Sequence, residues 1–186
     1  QQLLIGILGR ADRFTGSRRV VRSAGNTFPV TAWVADDPDP IARDAWSLRI
    51  DGAVDRPTTL DFEELETTDT ARATLDCTSG WYTDQRWSGV RVGRLLERVG
   101  LAQDARWVSF RSVTGYRWSL PLAEAEETIL ATRVGGEQLT HGHGAPLRLV
   151  APGRRGFQWV KWVERVEIRR TPDYGQWVAI FTSGFD

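Results

Sequence analysis

The most informative part of the chain is residues 141–169, HGHGAPLRLVAPGRRGFQWVKWVERVEIR. Two runs within it, Pro146–Val150 and Val163–Arg169, are rich in β-branched and apolar residues and predict strands. The segment between them contains Gly153 and Gly156, and glycine allows a backbone to come close to a bulky ligand. The pattern therefore predicts two strands joined by a loop that can approach a ligand.

Short strands are predicted along much of the remaining chain. They are Ser47–Val54, Ala71–Cys77, Arg106–Ser112, Arg117–Leu120 and Thr128–Ala131, with a hairpin turn at Gly135-Gly136. A loop is predicted directly after Cys77. Helices are few: Leu60–Leu65 is a short candidate, and Val90–Val99 carries apolar residues at helical spacing before Gly100. These elements favour an α+β fold, a β-rich single domain with a mixed, barrel-like sheet. We expect residues 1–25 to form an N-terminal arm or linker and residues 26–186 to form this domain.

Length and composition narrow the class of protein. The chain has 186 residues, of which 41% are hydrophobic and 26% charged, as in a soluble globular domain. It carries 24 basic and 24 acidic residues, and a net charge of zero argues against a nucleic-acid binder. No apolar run approaches the ~20 residues of a membrane span. Because the chain contains no methionine, we expect it to be a processed or excised part of a longer protein.

Cys77 is the single cysteine of the chain, so no internal disulfide can form. It lies in LDCTSGWY, residues 75–82, where a predicted strand runs into a loop and a scaffold can present a side chain to a cleft. A thiolate there is suited to act as a nucleophile or as a soft metal ligand. Two alternatives stay open: a buried cysteine that packs as a small hydrophobe, and a cysteine hydrolase with His141 or His143 as its base.

The cations of the same region favour a phosphorylated cofactor. The forked guanidinium of Arg148 is suited to bind a phosphate through two hydrogen bonds. Lys161 is the single lysine of the chain, beside 23 arginines, and its ammonium is suited to bind a phosphate as a point charge. Loop amides around Gly153–Gly156 can add an anion-binding concavity. A hairpin with surface cations is the alternative. The spacing of His141 and His143 also suggests zinc, although the chain has no further histidine to complete such a site.

The order of these pieces resembles the molybdopterin-binding domain of the sulfite oxidase family, and in particular its bacterial single-domain branch. The resemblance spans about residues 26–168 and is carried by DCTSGW, WSGV, VTGYRWSLPL and HGAPLRLVAPGRRGFQWVKWVERVEI. It implies the fold of that domain and a molybdenum–molybdopterin cofactor. It also implies a molybdopterin-dependent oxidoreductase that transfers an oxygen atom or reduces a small oxo substrate.

The resemblance implies roles for individual residues. Cys77 is the implied molybdenum ligand and, with Tyr82 at the expected substrate mouth, is assigned to catalysis; Thr78 and Ser79 are expected near the open face. The residues implied to hold the cofactor are Asn26, Pro29, Val30, Cys77, Thr114, His143, Arg148, Trp159, Val160 and Lys161. The candidates for a sulfite-binding cluster are Arg86, Arg117, Arg154 and Arg155, and no motif distinguishes among them.

Partners and location follow from the same resemblance. We expect a small-molecule oxo substrate, a haem- or quinone-linked electron-transfer partner, no nucleic acid, and a membrane-anchored segment outside this chain. The expected location is extracytoplasmic or membrane-tethered. The alternative function is a cofactor-free binding or sensory module that retains the scaffold, as the soluble domain of a membrane protein.

Overall fold

The computed structural model of the protein describes residues 8–11, 13–21, 24–32 and 35–185. Within these ranges, strands form two sheets and three short α-helices pack beside them. The expected α+β, β-rich architecture is confirmed. None of the helices in the described ranges has the length and hydropathy needed to cross a membrane.

The first sheet is organised around one long strand. Its members are β1 (Leu8–Ala11), β2 (Arg18–Val20), β5 (Asp69–Asp76), β6 (Trp81–Arg91), β9 (Ile129–Val134), β10 (Glu137–Gln138) and β11 (Arg148–Val150). Strand β6 pairs antiparallel with β5 and β9 and parallel with β2. Strand β9 in turn pairs with β10 and β11. This arrangement places the turn between β5 and β6 at one end of the sheet.

The second sheet contains the other five strands. They are β3 (Ser47–Gly52), β4 (Thr58–Asp61), β7 (Trp107–Ser112), β8 (Arg117–Pro121) and β12 (Val163–Arg169). Their order across the sheet is β4-β3-β12-β7-β8. Strands β3 and β12 are parallel, and the other neighbours are antiparallel, so the sheet is mixed as expected. Strand β12 has the bounds predicted from the sequence.

The helices are α1 (Val92–Val99), α2 (Leu122–Glu126) and α3 (Gln176–Thr182). Helix α1 buries Val92, Leu95, Leu96 and Val99, which share one helical face. It ends at Gly100, whose φ of +69° lies in a region that favours glycine. The helix begins two residues later than expected because Val90 and Arg91 pair with β9 in the first sheet.

Two further expectations are corrected by the structure. The segment Leu60–Leu65 is not a helix: Leu60 belongs to β4, and only Phe62–Glu64 forms a 3-10 turn, capped by Asp61 and Glu64. The loop expected after Cys77 is only a tight turn, because β6 already begins at Trp81.

Part of the expected N-terminal arm lies against the first sheet. Residues 8–11 and 18–20 form β1 and β2, and β2 buries Val20 where it pairs with β6. Residues 1–7 lie outside the described residues. The domain boundary at residue 26 stays a prediction.

Candidate active site

A cavity of about 400 Å³ lies beside the turn between β5 and β6. This volume is within the usual range of small-molecule sites. Its walls come from the loop Cys77–Ser79, from Thr31, Ala32 and Asp36, from Tyr116, and from residues within 156–161. A narrower cavity of about 50 Å³ shares five lining residues with it and adds Phe28–Val30, His143 and Arg148 among its walls.

The turn between β5 and β6 holds Cys77 at the cavity wall. The backbone N–H of Cys77 donates to the Trp81 carbonyl at 2.8 Å, and the Gly80 N–H donates back to the Cys77 carbonyl at 3.1 Å. Gly80 closes the turn with a φ of +88°, which favours glycine. The thiol is 7% exposed, and its Sγ lies 2.9 Å from the Ser79 hydroxyl. The sulfur is therefore fixed in place beside a space large enough for a ligand.

Arg148 is a buried cation on β11. It is 3% exposed, its Nη1 donates to the His143 carbonyl at 2.8 Å, and its Nε is buried without a partner in the described residues. Its guanidinium lies 5.3 Å from the ring of Trp87 and 6.0 Å from that of Trp159. Burial lowers the pKa of Arg148 to about 10, so it stays charged at neutral pH. A buried charge with an unsatisfied donor favours an anionic ligand.

Lys161 supplies a second cation to the same walls. Its Nζ donates to the carbonyls of Thr31 at 2.8 Å and Gly142 at 2.6 Å. Burial lowers the pKa of Lys161 to about 8, and the charge of Arg148 acts in the same direction against the opposing charge of Asp36. The ammonium is still mostly protonated at pH 7, so the two cations together present positive charge to the cavities.

The backbone after Lys161 is held in an uncommon conformation. Trp162 has a φ of +50°, which a non-glycine residue rarely adopts. Its indole N–H donates to the His141 carbonyl at 2.9 Å, and its backbone N–H donates to the Gly144 carbonyl at 3.3 Å. These hydrogen bonds fix the backbone at Trp162 and with it the direction in which the preceding Lys161 side chain points.

His143 is a buried neutral side chain whose two nitrogens are both used. Its Nε2 lies 2.9 Å from the Phe28 carbonyl, which can only accept, so Nε2 carries the proton. Its Nδ1 then accepts from the Thr140 hydroxyl at 2.6 Å. Burial lowers the pKa of His143, and the nearby cations act in the same direction. The His143 ring has no lone pair left to bind zinc or to deprotonate Cys77, which argues against both roles for His143. His141 uses its Nε2 on the Pro38 carbonyl at 2.8 Å, keeps an unpartnered Nδ1 among the described residues, and lines neither cavity.

Two glycines allow the walls to approach one another. At Gly144, whose φ is +104°, a β-carbon would lie 3.0 Å from the Cβ of Arg148 and 3.1 Å from that of Lys161. At Gly156, a β-carbon would lie 3.1 Å from the Cα of Cys77. These contacts are tighter than ordinary packing, so both positions need glycine for the cation-bearing and thiol-bearing segments to come together.

Asp76 anchors the residue next to the thiol. It accepts hydrogen bonds from Ser17 at 2.6 Å and Thr15 at 2.8 Å, and Arg155 lies 3.8 Å away. Burial raises the pKa of Asp76, but these hydrogen bonds and the charges of Arg155 and Arg13 outweigh it, so the pKa is lowered. The ionised carboxylate ties the N-terminal segment to the end of β5.

A buried carboxyl group on the cavity was missed by sequence reasoning. Asp36 is 6% exposed and lines the larger cavity, and its Oδ1 is buried with no partner in the described residues. It lies in DDPDP, residues 36–40, a composition typical of a solvated loop. Nothing local distinguishes it from Asp37, which is exposed.

The structure brings most of the expected site residues together. Those that line the narrow cavity are Pro29, Val30, Cys77, His143, Arg148, Trp159 and Lys161. Thr78 and Ser79 line the larger cavity, as expected for its open face.

Four expected site residues lie behind or away from these walls. The Asn26 side chain donates to Glu137 and accepts from the Thr140 N–H at 3.1 Å, so it supports the 3-10 turn 141–143. Val160 is fully buried, and the Thr114 hydroxyl donates to the Ser112 hydroxyl at 3.0 Å. Tyr82 is buried on β6 beneath the Arg13 guanidinium, 5.3 Å from its ring centre, and is not among the cavity walls. The tyrosine that lines the larger cavity is Tyr116.

The four candidate arginines of a sulfite site do not converge on the cavity. Arg154 forms a two-pronged ion pair with Glu124, and Arg117 lies 2.8 Å from Asp173. Arg155 donates to the Cys77 carbonyl at 3.3 Å, and Arg86 is exposed on β6. Within the described ranges, Lys161 is the one cationic side chain that lines the larger cavity.

The chain is similar to known molybdopterin proteins. The sequence pattern of the family described as "Oxidoreductase molybdopterin binding domain" matches residues 35–177. The oxidoreductase YuiH of Bacillus subtilis is 33% identical over 137 residues, which are 71% of this chain and 69% of that protein.

Longer relatives match in part of their length. The protein-methionine-sulfoxide reductase catalytic subunit MsrP of Xanthomonas campestris is 33% identical over 67% of this chain, which spans 44% of MsrP. Human mitochondrial sulfite oxidase is 32% identical over 60% of this chain, which spans 23% of that enzyme. In fold, the chain is similar to the sulfane dehydrogenase SoxCD of Paracoccus pantotrophus. The TM-score is 0.68 and the identity 26%, over 72% of this chain and 40% of the other.

Proposed function

The chain belongs to the oxidoreductase molybdopterin binding domain family, and from this premise we propose that it reduces a small neutral oxo compound with Cys77 as the protein's ligand to molybdenum. Family membership confirms the resemblance noted in the sequence and makes molybdopterin the cofactor. The metal ligand, the substrate class and the direction of reaction are the proposed parts.

The observation that carries the proposal is the convergence of one thiol and two cations on one narrow cavity. Cys77 lies far in sequence from Arg148 and Lys161, yet all three line this cavity. Arg148 has a buried unsatisfied donor and no carboxylate among the groups that shift its pKa. An anionic cofactor end would satisfy this donor and offset the cost of the buried charge. The residues present therefore fit a phosphorylated pterin.

The side chains of the site can be given separate roles. When bound, a molybdopterin supplies the metal and the dithiolene sulfurs for oxygen-atom and electron transfer. Cys77 adds a soft anionic donor, whose sulfur is oriented by the Ser79 hydroxyl 2.9 Å away. Arg148 and Lys161 hold the negatively charged end. Trp159, which is 2% exposed, excludes water from the space between Cys77 and the two cations.

The walls of the larger cavity favour a neutral substrate over sulfite. An oxyanion is expected to require convergent cations, but the arginines nearby are occupied outside the cavity. The cavity presents hydroxyl and apolar groups from Thr78, Ser79 and Phe157 instead. Such walls suit a sulfoxide or an N-oxide. The similarity to a protein named a sulfoxide reductase supports the direction of reduction.

The expectations about partners and location remain proposals. A reductase needs an external electron donor, and we propose a haem- or quinone-linked one. We also keep the extracytoplasmic or membrane-tethered location as a prediction.

Metal analysis and spectroscopy test the proposal. Expression in a host that makes molybdopterin is expected to yield about one molybdenum per chain, as one thiol ligand implies. Cys77→Ser should abolish or shift the Mo(V) electron paramagnetic resonance signal and remove activity. Thr70→Ser, at an exposed position on β5, the strand that leads into the Cys77 turn, should change neither. A Cys77→Ser protein with an unchanged signal and full activity would refute the ligand assignment, and a wild-type chain without molybdenum would favour the cofactor-free module.

A substrate screen tests the reaction. With a reduced viologen dye as donor, dimethyl sulfoxide or trimethylamine N-oxide should be reduced. Oxidation of sulfite with ferricyanide should be much slower. The opposite ranking would overturn the proposal of a neutral substrate.

A further inference from the structure

Asp36 is a carboxyl group that the proposed roles leave unused. It lines the larger cavity together with Cys77 and is 6% exposed. Its Oδ1 is buried and has no hydrogen-bond partner in the described residues. An ionised carboxylate is costly in such a place, whereas a protonated one is much less so. The geometry therefore favours a neutral acid on the wall of the cavity.

The groups that face Asp36 do not reverse this preference. Burial raises its pKa, and the Thr114 side chain, in the β7–β8 turn, and the charge of Lys161 lower it but offset the effect of burial only in part. The neighbouring Asp37 raises the pKa further. No arginine forms an ion pair with Asp36 among the described residues, and the remaining titratable walls of the cavity are Cys77 and Tyr116.

The proposed reaction consumes protons. Reduction of dimethyl sulfoxide takes up two electrons and two protons and yields dimethyl sulfide and one water molecule. The bond between sulfur and oxygen breaks, and the oxygen gains both protons. An acidic side chain on the cavity wall can deliver one of these protons in the transition state, which is general acid catalysis. The electrons come from an external one-electron donor, such as the reduced viologen dye of the assay.

The other side chains of the cavity are poorer donors than Asp36. The Tyr116 hydroxyl already donates to the Phe157 carbonyl at 2.5 Å. The Lys161 ammonium donates to two backbone carbonyls, and its charge is assigned to the negatively charged end of the cofactor. The hydroxyls of Thr78 and Ser79 are far less acidic than a carboxyl group. Asp36 is the remaining acid.

We propose that Asp36 is a catalytic residue that donates a proton to the oxygen leaving the substrate. The O–H bond of the carboxyl group breaks as an O–H bond forms on that oxygen, which departs as water. Solvent supplies the second proton and then reprotonates the carboxylate. This inference rests on the proposed function, since it names the proton donor of the same reduction.

The first test compares two neighbouring aspartates in the molybdenum-loaded protein. Asp36→Asn should lower kcat for dimethyl sulfoxide about a hundredfold, within the usual range for loss of a general acid, with little change in KM or molybdenum content. The wild-type rate should fall as pH rises through the pKa of Asp36, and the variant should lack that fall. Asp37→Asn, at the exposed neighbour, should keep the wild-type rate and pH profile.

A second variant moves the proton affinity without removing the acid. Because the polar Thr114 side chain lowers the pKa of Asp36, Thr114→Val should shift the pH at which the rate falls to a higher value, whereas Thr114→Ser should leave that pH unchanged. Isotope-edited infrared spectroscopy without substrate gives a readout apart from turnover. A protonated carboxyl band should persist above the ordinary titration range of aspartate in wild type and be absent in Asp36→Asn.

The outcomes separate the two proposals. A wild-type chain that lacks molybdenum or reduces no oxo compound refutes the proposed function. A wild-type chain that reduces dimethyl sulfoxide, with an Asp36→Asn variant that keeps full kcat and the same pH profile, refutes only the role of Asp36. The same holds if the carboxyl band titrates in the ordinary range, or if Thr114→Val leaves the pH profile unmoved.

Discussion

Replacement of Arg148 by methionine separates cofactor binding from folding. Burial lowers the pKa of Arg148 from its ordinary value to about 10. At about 1.36 kcal/mol per pKa unit, its charge costs the cofactor-free folded state about 3 kcal/mol at neutral pH. Arg148→Met removes this cost. It also removes the hydrogen bond to the His143 carbonyl, leaving that acceptor unpaired, at about 1–3 kcal/mol. Loss of the cation–π contact with Trp87 costs about 1 kcal/mol more.

These contributions nearly cancel in the chain without cofactor. The free energy of unfolding of Arg148→Met should therefore stay within about 2 kcal/mol of wild type. Cofactor binding should weaken, because a charge-assisted hydrogen bond to an anion contributes about 1.5–3 kcal/mol, or roughly ten- to a hundredfold in affinity.

The assay needs two expression hosts. Urea denaturation of protein from a host that lacks molybdopterin measures stability, and metal analysis of protein from a competent host measures loading. Arg86→Met, at an exposed arginine of β6, should leave both unchanged. If Arg148→Met retains stoichiometric molybdenum, or if its cofactor-free form loses about 4 kcal/mol or more, the reasoning is refuted (the latter being the size expected for a purely structural buried group).

Two further perturbations probe the walls of the site. Gly144→Ala should lower the free energy of unfolding by about 1 kcal/mol more than Gly153→Ala in chemical denaturation. Both glycines have positive φ, but a β-carbon meets neighbours at 3.0–3.1 Å only at Gly144; equal losses would contradict this. His143 has a folded-state pKa below its ordinary value, so its stabilising contribution is present above about pH 6.5 and is lost as pH falls toward the folded-state pKa. The melting temperature of His143→Gln should therefore drop less between pH 7 and pH 5 than that of the wild type. An equal drop in both proteins would disprove the role of His143 burial.

Local pattern was sufficient for some elements of the fold. Helix α1 was recognisable because its apolar residues recur at helical spacing and Gly100 ends it. Strand β12 was recognisable from its β-branched and apolar residues. Strand β6 was not, although its buried positions alternate, because polar residues such as Thr83 and Gln85 are buried on it. Their burial depends on partner strands that are remote in sequence.

Some residues of the candidate site were likewise predictable from local sequence, and others were not. Cys77, Arg148 and Lys161 were identifiable because each is a rare or chemically distinctive residue in a recognisable motif. Tyr82 and Asp36 show where such reasoning stops. Tyr82 is close in sequence to the cysteine turn, which suggested a position at the mouth of the cavity. Because side chains alternate between the two faces of β6, its ring lies beneath the Arg13 guanidinium instead. Asp36 looked like any loop aspartate.

The order of short motifs along the chain, together with the residue types in them, was enough to predict the family and the cofactor and to select the thiol and the two cations as candidate site residues. Tertiary structure alone determined which of these groups are buried, which hydrogen bonds occupy them, and which carboxyl group is left unsatisfied. The His143 ring, for example, is held by the carbonyl of residue 28, and Lys161 by that of residue 31. Burial and pairing arise from contacts between segments more than a hundred residues apart, and no local pattern encodes them.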